Sequence, residues 1–82
     1  MALSLLPQGT FTTLLKNMQT VDEPNRKRLA ELEQKGDWQG LADFAQANLA
    51  KDPQNAEWWM MRGYAFLRME QFPRAAESFQ EA

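Results

Sequence analysis

The chain has 82 residues, a formal net charge of -2, 44% apolar residues, and neither cysteine nor histidine. That length allows one small domain or part of one, burying about three-fifths of its unfolded surface. The composition excludes a disordered chain, disulfides and thiolate chemistry. The acidic balance argues against a nucleic-acid partner, and the missing histidines remove the commonest general base and neutral metal ligand.

The start, Met1 to Pro7, has a short apolar run with no basic residues ahead of it, and reads neither as a signal peptide nor as a membrane span. A cytoplasmic location is the default, which holds unless a leader has been removed. Leu3 to Gly9 reads as an irregular lead-in, punctuated by Pro7 and Gly9. Thr10 is placed to cap a first short helix, on which Phe11, Leu14, Leu15 and Met18 share one face.

Asp22 caps a second helix that tolerates Pro24 in its first turn and runs through Lys35 to Gly36, a left-handed C-terminal stop. Lys27–Glu31 and Glu31–Lys35 are opposite charges at i,i+4, each worth about 0.2–0.5 kcal/mol. Asp37 caps a third helix carrying Trp38, Leu41, Ala42, Ala45 and Leu49, and Pro53 ends it. A fourth helix spans about Asn55 to Glu70. A fifth begins near Pro73 with an apolar face of Phe72, Ala75, Ala76 and Phe79. No stretch alternates with the period of a strand.

Shifted by 34 residues, the chain echoes itself. Glu23 meets Glu57, Arg28 meets Arg62, Leu32 meets Phe66, Trp38 meets Phe72, Ala42 meets Ala76, Asp43 meets Glu77 and Gln46 meets Gln80. The second copy carries Trp59, Arg62-Gly63, Phe66 and Ala75-x-x-x-Phe79. The first is weaker at its start, with Asn25 and Arg28-Leu29, and recovers with Leu32, Gly36-Asp37-Trp38, Leu41, Ala45 and Asp52-Pro53. Gly63 would let another helix backbone approach closely, and Trp59, Phe66 and Phe79 would fill the space between the two helices of a unit.

Period and motif resemble the tetratricopeptide repeat family over about Asp22 to Ala82. The resemblance departs at Arg62, where the family has leucine, and implies an all-α fold of stacked helix-turn-helix units, a solenoid fragment of about five helices. The divisions are a lead-in and capping helix over 1–21, a degenerate unit over 22–55, and a second unit over 56–82 cut short in its second helix. The unfinished last helix gives the expectation of an N-terminal piece of a longer array.

The resemblance further implies a scaffold that binds a peptide or helix on its concave face. The matching positions are Glu23, Arg26, Ala30, Glu33 and Gln34 in the first unit, and Glu57, Met60, Tyr64, Leu67 and Arg68 in the second. Of these, Arg26, Glu57, Met60, Tyr64, Leu67 and Arg68 form the candidate partner site. The clamp of Lys and Asn side chains that some members use for a terminal carboxylate is not expected, because Ala30 and Met61 stand in its place.

Met60, Tyr64 and Leu67 lie off the face that holds Trp59, Gly63 and Phe66, so the fourth helix is apolar on more than one side and calls for a cover. The favoured cover is the Phe11–Met18 helix or a neighbouring chain. The alternative is an open groove for a partner's side chains, with Arg68 and Arg26 available to a carboxylate. Arg26-Lys27-Arg28 reads as a solvated helix face. No acid–base pair, phosphate loop or metal-ligand spacing is present, so neither enzyme nor cofactor is expected. The second function considered is self-association into a homo-oligomer through the exposed faces of the fourth and fifth helices.

Overall fold

The computed structural model describes residues 9–82. The expected lead-in lies outside the described residues except for Gly9. Five helices follow in order: α1 (Thr10–Asn17), α2 (Glu23–Lys35), α3 (Trp38–Lys51), α4 (Ala56–Arg68) and α5 (Phe72–Glu81). The fold is all-α, and the described residues contain no strand.

Local chemistry sets most boundaries. The Asp22 carboxylate accepts the backbone N–H of Asn25, and Pro24 sits in the first turn of α2, where its missing donor costs nothing. Gly36, at φ 66°, ends α2 in the left-handed conformation that glycine adopts without strain. The Asp37 carboxylate then accepts the N–H of Gly40 at 2.9 Å and starts α3. A Cβ on Gly40 would strike that carboxylate, which would have to move aside. Asn55 caps α4 through the N–H of Glu57.

Two local expectations are corrected. Gly9, at φ 85°, holds the N-cap position of α1, and Thr10 is its first helical residue. The ion pair on α2 is Arg28–Glu31 at 3.6 Å, spaced i,i+3 in place of the Lys27 and Lys35 pairings.

The turn after α4 repeats the turn after α2. Gly36 N–H donates to Glu33 O, Asp37 N–H to Leu32 O, and Leu41 N–H to Asp37 O. Thirty-four residues on, Glu70 N–H donates to Leu67 O, Gln71 N–H to Phe66 O, and Ala75 N–H to Gln71 O. Glu70 even adopts the left-handed conformation of Gly36, at φ 58°, without being a glycine. The sequence echo is therefore also an echo in backbone hydrogen bonding.

Consecutive helices pack on one another, α2 on α3, α3 on α4 and α4 on α5. The core is continuous: Leu29 and Leu32 from α2; Leu41, Ala42, Ala45 and Leu49 from α3; Trp58, Met61, Tyr64, Ala65 and Phe66 from α4. Ala75 is the apolar residue α5 adds, and Phe11, Met18 and Val21 come from α1 and the loop after it.

Packing between α4 and its neighbours departs from the motif-based expectation. Trp58 is the buried tryptophan, meeting Phe44 of α3 edge to face at 5.7 Å between ring centroids. Trp59 is half-buried at the edge of the core, its Nε1–H donating to Pro53 O at 2.7 Å. Phe79 lies between α4 and α5 as expected but only in part, with 42% of it exposed. Its ring lies on Gly63, where an added Cβ would come within 2.6 Å of it. The close approach that Gly63 allows is thus that of a side chain. Arg62, at the motif's leucine position, spans the Trp59 and Phe66 rings at 5.4 and 4.8 Å and donates to Ser78 Oγ on α5 at 2.5 Å. An arginine works here because its stem and planar head cover aromatic surface while its N–H groups satisfy a buried hydroxyl.

Candidate interaction face

The face shared by α2 and α4 holds all six candidate residues, but it is not vacant. Both helices meet the same segment: Arg26 of α2 and Glu57 of α4 bond to residues 15–21, and Tyr64 of α4 packs on Phe11. Across this face run α1 and the loop that follows it.

Arg26 is half-buried and reads the main chain of that segment. Its Nε–H donates to Val21 O at 3.1 Å, and its guanidinium donates to Leu15 O at 2.5 Å and to Met18 O. One cation thus serves three carbonyls, that of Leu15, which also takes the Met18 N–H, and those of Met18 and Val21 beyond the end of α1, a charge-assisted arrangement stronger than neutral hydrogen bonding.

Glu57 reads the same segment from the other helix. Its carboxylate accepts the N–H of Gln19 at 2.9 Å, the N–H of Thr20 at 3.0 Å and the Thr20 hydroxyl at 2.7 Å. Asn55 Nδ2–H donates to the same hydroxyl oxygen at 2.9 Å. Partial burial raises the Glu57 pKa, but the Thr20 and Gln19 hydrogen bonds and the charge of Arg26 outweigh it. The net shift is below the ordinary value.

Tyr64 is buried, with Phe11 of α1 at 5.7 Å and Trp38 of α3 at 6.1 Å between ring centroids. Burial raises its pKa, aided by Glu33 and opposed by Arg68. Leu67 is partly buried against the core. Met60 is 41% exposed. The Arg68 guanidinium lies 4.5 Å over the Trp38 ring, and its buried Nε–H has no hydrogen-bond partner.

The favoured cover for the fourth helix is therefore α1, which reaches Tyr64 but leaves Met60 exposed. The open groove is not what is seen around Tyr64. The carboxylate-binding role considered for Arg26 is overturned by its engagement with three carbonyls of the chain itself. No local signal announces this, since Glu57 and Thr20 are 37 residues apart. Among the described residues, no group of acidic side chains is arranged to hold a metal ion, and no helix is long and apolar enough to cross a membrane.

No family model, curated protein or solved structure matches the chain.

Proposed function

We propose that the chain is a protein-interaction module of stacked helix-turn-helix units of the tetratricopeptide kind, acting as a scaffold by binding and not by catalysis. Its working face is the one shared by α2 and α4, which takes a peptide or short helix. The observation that carries this reading is that Arg26 and Glu57 already grip a peptide segment by its carbonyl and N–H groups, with Asn55 on the Thr20 hydroxyl beside them. A face that recognises main chain in this way is suited to peptide ligands in general. The repeated turn, with its 34-residue offset in hydrogen bonding, supports the repeat assignment.

The test is to select peptides from a random display library on the full chain and map one by amide chemical shifts. The expected footprint covers Arg26, Glu57, Tyr64, Leu67 and Arg68. A footprint confined to α5, or no selectable peptide, contradicts the reading.

A second reading, self-association, is favoured by a specific observation. Phe72 and Phe79 are 45% and 42% exposed, and with exposed Ala76 they form a stripe at i, i+4 and i+7 on α5. Apolar faces of this kind mark contact surfaces. Sedimentation equilibrium over a wide concentration range decides it: a dimer abolished by Phe79→Asp supports pairing through α5, and a monomer throughout rejects it.

A further inference from the structure

We propose that α1 with its following loop, residues 10–21, is an exchangeable ligand in cis, and that the external partner of the α2–α4 face is a short amphipathic helix of the same pattern that displaces it. This inference rests on the peptide-binding reading above and adds the chemistry of the partner.

Three features of the segment argue for exchange. First, α1 has eight residues, below the length at which a helix holds itself together in water, so it stays helical only while docked. Second, most of its deep apolar anchoring lies outside the helix itself. Phe11 is the buried residue of the helix, with Leu14 and Leu15 partly buried, and the buried Met18 and Val21 follow in the loop. Third, the polar grip falls on main-chain atoms. Arg26 takes the carbonyls of Leu15, Met18 and Val21, and Glu57 takes the N–H groups of Gln19 and Thr20. Main-chain groups are common to every peptide, so neither Arg26 nor the Glu57 bonds to Gln19 and Thr20 N–H distinguish this segment from a foreign one. Discrimination is left to the apolar anchors and to the Thr20 hydroxyl shared by Glu57 and Asn55.

The partner these features describe carries apolar side chains at the spacing of Phe11, Leu14 and Met18, leaves the helix within about two turns, and continues in extended form with a hydroxyl residue two positions after the last anchor. A ligand with this pattern meets groups that are already paired in the free protein, so its net affinity is set by how far it outcompetes α1. Occupancy by α1 thus keeps the face from binding peptides at large.

The experiment uses the full chain and a fluorescent synthetic peptide of residues 9–21 as the probe. Phe11→Ala in the protein loosens α1 without altering α2 or α4. The variant is expected to bind the probe at least about tenfold more tightly than the unaltered chain, and a probe carrying the same Phe11→Ala change is expected to lose that gain. Should Phe11→Ala fail to fold by circular dichroism, Leu14→Ala, at a partly buried position, is expected to give a smaller gain of the same sign. Equal affinity for altered and unaltered chains overturns the inference, as does no binding by a folded variant. If library peptides footprint on the α2–α4 face while the 9–21 probe does not bind, the module reading stands and the exchange falls. If library peptides footprint elsewhere, the module reading itself falls.

Discussion

α3 and α5 start from the same turn and carry related residues, yet only α3 is covered on its apolar side. Thirty-four residues apart, Trp38 meets Phe72, Ala42 meets Ala76 and Ala45 meets Phe79. On α3 the two alanines are 2% and 0% exposed and Trp38 is half-buried against the core. On α5 Ala76 is exposed, and Phe72 and Phe79 are nearly half exposed. The difference lies in the neighbours: α3 packs against both α2 and α4, whereas α4 is the main neighbour of α5. Periodicity fixes which side of a helix is apolar, and the neighbouring element decides whether that side leaves water.

The largest expected effect that could break this comparison is a pair of truncations. Leu41→Ala, at a fully buried position of α3, should cost about 2–5 kcal/mol in urea unfolding. Phe79→Ala removes a larger side chain and should cost only about 1 kcal/mol or less, because much of that ring already faces water. Equal costs would mean that the outer side of α5 is covered in solution. Enlarging the paired alanines sharpens the same point. Ala42→Leu should destabilise by about 1–3 kcal/mol through overpacking, and Ala76→Leu should stay within about 0.5 kcal/mol.

The two left-handed turn residues give opposite expectations of smaller size. Gly36→Ala forces a Cβ into φ 66° and should cost about 1 kcal/mol. Glu70→Gly relieves the same strain at φ 58° and should raise the thermal midpoint, with a gain of about 0.5 kcal/mol after the added freedom of the unfolded chain. A loss of stability in Glu70→Gly would separate the two turns that the hydrogen bonding unites.

The smallest effect is on pH dependence. The folded-state pKa of Glu57 lies below its ordinary value of 4.5. Its contribution is therefore fully present above that value and is lost as pH falls through the lowered one. Acid titration of unaltered chain and Glu57→Gln, followed through the amide signals of Gln19 and Thr20, should show the loop releasing in acid only when the carboxylate is present.

Much of the fold was legible in the residues themselves. Asp22, Gly36 and Asp37 act by chemistry confined to one turn, so the limits of α2 and the start of α3 follow from local reading. The repeat period was equally visible. Less legible was anything that depends on a distant partner. The choice between Trp58 and Trp59 as the buried ring turns on which side of α4 meets α3. Glu70 gives no sign of a left-handed turn, because glutamate is a poor residue for it and the conformation comes with the backbone hydrogen bonds of Glu70 and Gln71 to Leu67 and Phe66. Within the candidate site, Arg26 and Glu57 were singled out for position, and their grip on residues 15–21 arises only when α1 folds back across α2 and α4. Thr10 yielded its capping place to Gly9 because the glycine alone takes φ 85° without strain.

The most direct test of the central claim is amide-resolved hydrogen exchange on the full chain. If α1 is an exchangeable cover on a formed scaffold, the amides of Gln19 and Thr20 and those of α1 should exchange through a local opening that leaves Leu41, Ala45, Met61 and Ala65 protected. If instead α1 and the loop exchange only together with α3 and α4, in a single global unfolding, the segment is an integral part of the core and the face beneath it is not a site for exchange.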